Sequence, residues 1–254
     1  MRVLALDAAT EACSVALLLD DDVIVRSIES GKSNAQQILS FIGEVTAEAQ
    51  VSLSMLDGIA ASIGPGAFTG VRISVAVAQG LAFGSGLAVV PVTTLEALAL
   101  QVLGGSSGAD PGAAIACLDA RMGEVYWGCY APDAAAGVIE SAAPRVGPPG
   151  SIALDLSGAL SGALSGGLSG GLSGRYLGIG RGFSAYPLLA NIPGVEISER
   201  DSMALPNARE FARLGALRLA AGGGLDPADL KPLYLRDKVA LTEAERAAQA
   251  AQAP

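Results

Sequence analysis

A glycine-rich segment between an apolar strand and an almost entirely apolar helix limits the folds open to this chain. Residues 64–70 read Gly-Pro-Gly-Ala-Phe-Thr-Gly and join the apolar runs 56–63 and 71–83. Glycine permits backbone conformations that are closed to other residues, so the segment can turn a strand tightly into a helix. The junction predicts a chain of the α/β class, in which strands feed into helices.

The residues before the junction predict an antiparallel meander followed by a helix. Three apolar runs separated by short polar turns are typical of consecutive strands, at 2–7, 13–19 and 23–28. Over 35–50, apolar side chains recur three and four residues apart, which predicts an amphipathic helix. After the junction, Thr93 or Thr94 is placed to cap a third helix, with Glu96 in its first turn.

The pattern of strands first and helices later restarts after a break rich in glycine, serine and proline at 104–112. Beyond the break, 114–119 and 124–130 predict a new strand pair. Two α/β lobes with the same internal order therefore account for the chain, one over 1–104 and one over 105–254.

Two segments of the second lobe differ in composition from the rest. From 156 to 174, Leu-Ser-Gly-Ala or Leu-Ser-Gly-Gly recurs with a period of four residues. This period is too short for a solenoid, and the glycine and serine content predicts a flexible surface insertion. The alternative is a frayed helix that leans on the second lobe. The tail from about 240 to 254 is polar and alanine-rich, which predicts a frayed helix.

The 254-residue chain contains no histidine. This excludes histidine general bases, Ser–His or Cys–His nucleophile pairs and imidazole metal ligands, and it leaves carboxylate chemistry open. Three sparse cysteines, Cys13, Cys117 and Cys129, indicate reduced thiols in the cytosol rather than a disulfide framework.

The negative net charge argues against nucleic-acid binding by this chain alone. The formal net charge is −9, with 16 lysines and arginines against 25 acidic residues. RNA binders gain affinity by neutralising phosphates with basic side chains, so only a local basic patch remains open. The N-terminus lacks a secretory leader pattern, and no run predicts a membrane span. We expect a cytoplasmic protein without membrane contact.

Two segments are weak candidates for cofactor binding, with Asp7, Thr10, Gly64 and Gly66 as the residues. A carboxylate at a strand end beside a hydroxyl-bearing turn can organise Mg²⁺ and phosphate. A glycine-rich turn before a helix can present N–H groups to an anion. The competing interpretations are an Asx-type turn around Asp7 and a tight strand-to-helix turn in which Phe68 is a packing anchor.

Two further segments have structural explanations that are favoured over functional ones. The run 178–182 reads Gly-Ile-Gly-Arg-Gly after a predicted strand, which favours a plain turn over a ligand loop. Asp119 and Arg121 stand in a predicted hairpin and favour an ion pair over a ligand site.

The helix over 71–83 is apolar on nearly all sides, so it is buried in its own core or covered by a partner, and we favour the partner.

Several motifs together resemble the TsaB (YeaZ-like) family of the actin/hexokinase-like superfamily. They match its pattern in order and cover most of the chain outside the repeat and the tail: the start around Asp7, Gly-Pro-Gly-Ala-Phe-Thr-Gly-Val-Arg-Ile at 64–73, Pro-Val-Thr-Thr-Leu-Glu-Ala-Leu-Ala at 91–99, Leu-Asp-Ala-Arg at 118–121 with Glu-Val-Tyr at 124–126, and Pro-Leu-Tyr-Leu-Arg at 232–236. The run at 64–73 is the most specific of these.

The resemblance implies a two-lobed actin/hexokinase (ASKHA, ribonuclease H-like) fold and no catalysis by the chain itself. It implies binding to a TsaD-like catalytic subunit that transfers threonylcarbamoyl to adenosine 37 of ANN-decoding tRNAs, with a TsaE-like ATPase in the assembly. It also implies that tRNA is reached only through the complex and that similar surfaces can form homodimers. We expect no cofactor bound by this chain alone, and whether ATP or ADP binds at the interface with TsaD stays open at this point.

In this family the helices corresponding to 35–50 and 71–83 pack against those of TsaD. We therefore expect six residues at the partner interface: Ile38, Ile42, Val45, Val71, Val75 and Gln79. Family members often carry His-Ser before the first of these helices, where this chain reads Lys-Ser-Asn at 32–34. The alternative function is a free-standing nucleotide-binding enzyme, a kinase or ATPase, that uses Asp7 and the glycine turns.

Overall fold

The computed structural model describes residues 1–29, 35–104, 112–152 and 176–236, and these residues form two five-stranded sheets. The first sheet contains β1 (Arg2–Asp7), β2 (Ala12–Leu19), β3 (Asp22–Glu29), β4 (Gly58–Ser62) and β5 (Val89–Val92). The second sheet contains β6 (Ala113–Arg121), β7 (Glu124–Asp133), β8 (Gly137–Gly147), β9 (Tyr176–Ile179) and β10 (Val195–Glu196).

Both sheets have the same topology. The first has the order β3-β2-β1-β4-β5, and the second, read from its other edge, has the order β8-β7-β6-β9-β10. In each sheet, the first three strands along the chain form an antiparallel meander. The fourth strand then pairs in parallel with the first, and the fifth pairs in parallel with the fourth. This repetition confirms the predicted α/β class and its two-lobed actin/hexokinase-like architecture.

Helices form three layers around the two sheets. They are α1 (Ala35–Ala49), α2 (Phe68–Ser85), α3 (Thr94–Leu103), α4 (Gly182–Ala185), α5 (Glu199–Ser202) and α6 (Ala208–Ala220). Helices α1 and α2 cover the outer face of the first sheet, α3 and α6 lie between the sheets, and α4 packs on the outer face of the second. Strand side chains alternate between these faces, so Leu4 points to α1 and α2 while Ala5 points to the middle layer.

The two middle helices are exchanged between the lobes. Helix α3 follows the first sheet in sequence and packs mainly on the second, while α6 follows the second sheet and packs on the first. Arg218 of α6 donates a hydrogen bond to Glu96 of α3 and joins them. The predicted boundary at residue 104 separates the strands of the two sheets, but residues 208–236 return to the first lobe. A helix packs on the sheet that buries its apolar side, whatever its position in the sequence.

Several local predictions are matched within the described residues. Thr93 accepts a hydrogen bond from the amide of Glu96 and the Glu96 carboxylate accepts from that of Thr93, which makes the capping box of α3. Cys13, Cys117 and Cys129 are buried free thiols. None of the described helices is long and apolar enough to span a bilayer. The Lys-Ser-Asn segment, the Leu-Ser-Gly repeat and the C-terminal tail lie outside the described residues.

Candidate functional site

A cleft of about 330 Å³ opens between the two lobes. Its walls come from the turn between β1 and β2, the glycine-rich segment before α2, the hairpin between β6 and β7, and the C-terminal segment 233–236. Of the four weak cofactor candidates, Thr10 and Gly66 line this cleft, while Asp7 and Gly64 do not.

The glycine-rich segment is packed directly on the turn after β1. The amide of Ala67 donates to the carbonyl oxygen of Ala9 at 2.7 Å. A Cβ built on Gly66 would lie 2.1 Å from the Ala9 oxygen, and one built on Gly70 would lie 1.9 Å from the Ala8 oxygen. The glycines therefore permit a close approach of the two backbones.

Asp7 lies beneath this contact. Its carboxylate accepts a hydrogen bond from the amide of Ala9 at 3.0 Å, and its side chain is fully buried. Burial disfavours the charged form and raises the pKa of Asp7 to about 6, against the hydrogen bond from Ala9 and the nearby Ser62 hydroxyl, which lower it. Neither Oδ2 of Asp7 nor the Ser62 hydroxyl completes a hydrogen bond of ordinary geometry within the described residues.

The arrangement does not fit a Mg²⁺–nucleotide held by Asp7 and the glycine turn. The Asp7 carboxylate is fully buried and does not line the cleft, and Gly64 does not line it either. The described residues contain no group of three acidic or cysteine side chains placed to hold a metal ion. Asp7 thus lies in an Asx-type turn, and the glycines form a tight turn between a strand and a helix.

Charged side chains that face the cleft are largely paired with one another. Arg121 is 2.8 Å from Glu11 across the lobes and 3.0 Å from Asp119 on its own hairpin. Arg181 is 2.7 Å from Glu29. These pairs connect the lobes, and the Asp119–Arg121 contact is the structural ion pair that the sequence favoured.

The run at 178–182 is a second site of close backbone packing. A Cβ built on Gly180 would lie 2.3 Å from the carbonyl oxygen of Cys117, and one built on Gly182 would lie 2.3 Å from its Sγ. These glycines allow α4 to approach β6, so the segment is a packing turn, as favoured from the sequence.

The C-terminal segment crosses the cleft, which local sequence patterns did not indicate. The amide of Leu233 donates to the carbonyl of Ile63 at 2.8 Å and fixes the segment to the first lobe. Arg236 then reaches the second lobe, where it contacts Glu124 and donates to the carbonyl of Ala120 at 3.1 Å. The only hint in the sequence was the family-like run at 232–236.

Five of the six predicted interface residues lie in this chain's own core. Ile38, Ile42 and Val45 of α1, with Val71 and Val75 of α2, expose no more than 6% of their surface. All but Val71 pack on the outer face of the first sheet, and Val71 lies at the wall of the cleft. Little of these five side chains is therefore exposed to a partner. Gln79 is partly buried and donates to the carbonyls of Pro227 and Leu230 at 2.9 and 3.1 Å.

The opposite sides of the same two helices are exposed and formed mainly by small or apolar residues. We call this surface the helix-pair face; it comprises Leu39, Gly43, Ala47, Ala76, Gly80 and Gly84. A Cβ on any of its three glycines would meet no atom within 4 Å. The acidic side chains of Glu44 and Glu48 pair with Arg26 of β3, at the edge of the face.

Comparisons with known proteins agree on one family. The family model described as TsaD, tRNA N6-adenosine threonylcarbamoyltransferase, matches residues 28–142. The tRNA threonylcarbamoyladenosine biosynthesis protein TsaB of Escherichia coli K12 is 33% identical over 240 residues, which cover 94% of this chain and 96% of that protein. The crystal structure of a Pseudomonas aeruginosa protein with similarity to peptidase YEAZ superimposes with a TM-score of 0.76, at 32% identity, over 92% of this chain and 99% of that one. A structure of YeaZ from the same organism gives 0.75 at 31% identity, with the same coverage.

Proposed function

The chain belongs to the TsaB family of tRNA threonylcarbamoyladenosine biosynthesis proteins, and on that premise we propose that it is a non-catalytic scaffold and activator of a TsaD-like subunit. The TsaD-like subunit transfers threonylcarbamoyl to adenosine 37 of ANN-decoding tRNAs, and this chain stabilises its active form. The proposal includes a TsaE-like ATPase in the assembly, a cytoplasmic location, and contact with tRNA only through the complex.

The helix-pair face is the observation that carries the proposal. Small side chains at Gly43, Ala47, Ala76 and Gly80 allow the helices of another protein to approach closely. Such side chains also lose little conformational entropy on binding. Leu39 adds an apolar side chain with 52% of its surface exposed. Exposed apolar surface of this kind marks a protein–protein contact.

The chemistry of the cleft supports an accessory rather than a catalytic role. The chain has no histidine, and the Asp7 carboxylate is fully buried and does not line the cleft. The cleft arginines are held in ion pairs. The proposal accordingly assigns no cofactor to this chain and leaves ATP or ADP to the boundary with the TsaD-like subunit. The same face can pair two copies of this chain, so the homodimer competes with the heterodimer.

The test introduces a charge on the helix-pair face without disturbing the core. Ala76→Glu places a carboxylate on the exposed side of α2, and Ala185→Glu makes the same change on exposed α4 in the opposite outer layer. We expect both variants to fold. Ala76→Glu should weaken binding to the purified TsaD-like subunit by about tenfold or more, because a long charged side chain would replace a small one where the partner packs closely. Ala185→Glu should bind as the wild type does.

Binding is measured by titration calorimetry, and activity by threonylcarbamoyl transfer to tRNA with all other components supplied. Activity should depend on this chain and fall with Ala76→Glu at limiting concentrations. Full threonylcarbamoyl transfer without this chain, or equal affinities of Ala76→Glu and Ala185→Glu for the TsaD-like subunit, would reject the proposal.

A further inference from the structure

Arg72 lies over the ring of Phe68 and next to the ring of Tyr234, beside the mouth of the cleft. Its guanidinium carbon lies 3.8 Å from the ring centre of Phe68 and 5.9 Å from that of Tyr234. The two rings stack with centres 5.8 Å apart and planes inclined by 30°. Nε of Arg72 donates to the hydroxyl of Tyr234 at 2.8 Å. The guanidinium group is therefore held by Phe68 on its own helix and by Tyr234, which lies 162 positions further along the chain.

The two terminal nitrogens of Arg72 have no carboxylate partner among the described residues. Arg26, Arg121 and Arg236 each form an ion pair, whereas Arg209 and Arg213, like Arg72, form none with a described carboxylate. Arg72 differs from these two because it is stacked on an aromatic ring. The chain has more acidic than basic residues, so an exposed arginine without an acid is not explained by a shortage of carboxylates. A guanidinium group with both terminal nitrogens open presents the geometry that a carboxylate accepts in a bidentate way.

Arg72 is continuous with the helix-pair face. It precedes Ala76 and Gly80 at intervals of four residues on α2, and all three are exposed. Residues four apart lie on the same side of a helix. A partner that packs along this face and reaches the first turns of α2 therefore meets Arg72 and the exposed ring of Phe68 at one end.

We propose that Arg72 is a specificity-determining residue of the partner surface and binds a carboxylate of the protein that packs on the helix-pair face. This inference rests on the proposed function. Arginine beside tyrosine and phenylalanine is the composition of interface hot spots, and the stacked rings limit the entropy that Arg72 loses on binding. A carboxylate is favoured over an RNA phosphate because the neighbouring Arg121 and Arg236 are already paired and the chain is strongly acidic.

The experiment compares Arg72→Met with Arg72→Lys and with Arg213→Met as the matched control. Methionine keeps the aliphatic packing and removes the charge, lysine keeps the charge without the planar fork, and Arg213 is an exposed arginine on α6. The affinity for the purified TsaD-like subunit is measured by calorimetry at low and at physiological ionic strength. Arg72→Met should weaken binding about tenfold or more, Arg72→Lys by less, and Arg213→Met hardly at all.

The dependence on salt supplies a readout that a packing role would not change. The affinity of the wild type should fall as salt rises, and that of Arg72→Met should fall less steeply. Tyr234→Phe removes the hydroxyl that accepts from Nε and should weaken binding in the same direction by a smaller factor.

Each remaining outcome decides the matter. Absence of binding by the wild type would refute the proposed function. Wild-type binding with equal affinity for Arg72→Met would refute only the role of Arg72. Unchanged affinity for the protein together with weaker tRNA binding by the complex would show a phosphate contact and overturn the carboxylate assignment.

Discussion

The amide of Ala67 donates a hydrogen bond to the carbonyl oxygen of Ala9, so the segment before α2 is fixed to the turn after β1. This bond uses one of the N–H groups at the start of α2. Asp7 is fully buried and does not line the cleft. The contact between these two distant backbones thus supports the start of α2.

We predict that this support fails when a methyl group is added at Gly70. In Gly70→Ala the new Cβ would lie 1.9 Å from the Ala8 carbonyl oxygen, so the backbones must separate. The free energy of unfolding should fall by about 3 kcal/mol, as expected for overpacking. Chemical denaturation followed by circular dichroism measures the change.

Gly80→Ala is the matched control on the same helix. Its Cβ would meet no atom within 4 Å, and alanine favours helix over glycine. The free energy of unfolding should rise by about 0.5–1 kcal/mol. Equal effects of the two substitutions would contradict the close approach at Gly70.

We predict that Asp7→Asn stabilises the protein near neutral pH. Because the pKa of Asp7 is raised to about 6 in the folded state, the folded protein takes up the proton more readily than the unfolded chain, whose value is about 3.9. The ionised carboxylate therefore costs stability above pH 6, by up to about 3 kcal/mol, and the cost disappears as the pH falls from 6 towards 4.

Asparagine keeps an oxygen for the amide of Ala9 and carries no charge. The variant should exceed the wild type in free energy of unfolding at pH 7.5, and the two should converge near pH 4. Denaturation curves recorded at several pH values give the difference. A difference that does not vary with pH would show that Asp7 is not the titrating group.

We predict that the ion pair between α3 and α6 holds the middle layer together. Arg218 contacts Glu96 and also donates to the carbonyl of Pro91 at 2.6 Å. Arg218→Met should lower the free energy of unfolding by about 2 kcal/mol, because it leaves a largely buried carboxylate without its cation. Glu96→Gln retains an acceptor for the amide of Thr93 and serves as the second variant. In a double-mutant cycle the two changes should be less than additive; additivity would mean that the pair contributes nothing.

We predict that Arg236 ties the C-terminal segment to the second lobe. Arg236→Ala removes the contacts with Glu124 and with the Ala120 carbonyl, and should lower the free energy of unfolding by about 1–2 kcal/mol. Hydrogen exchange should increase at the amide of Leu233, whose bond to Ile63 anchors the segment. Unchanged exchange at this amide would show that the anchor is independent of Arg236.

Local chemistry explains why much of the secondary structure was predictable. Alternation and three-to-four spacing identify strands and helices from neighbouring residues alone, as at α1 and in the meander of β1 to β3. The capping box of Thr93 and Glu96 is likewise formed by residues within one four-residue segment, so the sequence predicts it directly. The motif at 64–73 was specific enough to indicate the family, which the comparisons established.

The same local patterns could not say which apolar side of a helix is covered by the chain itself. The spacing of Ile38 and Ile42 indicates an apolar stripe, and only the fold shows that this stripe lies on the first sheet. The exposed side of α1 and α2, formed by small residues, gave no pattern of its own. Sequence reasoning therefore named mainly residues of the buried side of these helices, and their place at a partner interface stays a prediction.

The amino-acid sequence by itself determined the class of fold, the helices α1 to α3, the meander of the first lobe and the absence of histidine chemistry, but it did not indicate β8 or β10. The tertiary structure alone decided the exchange of α3 and α6, the close packing of the glycine turn on residues 8 and 9, and the contact of Arg72 with Tyr234. The physical reason is range: periodicity and capping act within a few residues, whereas the contacts of Ala67 with Ala9, of Arg218 with Glu96 and of Arg72 with Tyr234 join residues about 60 to 160 positions apart, and their geometry exists only once both sheets have packed.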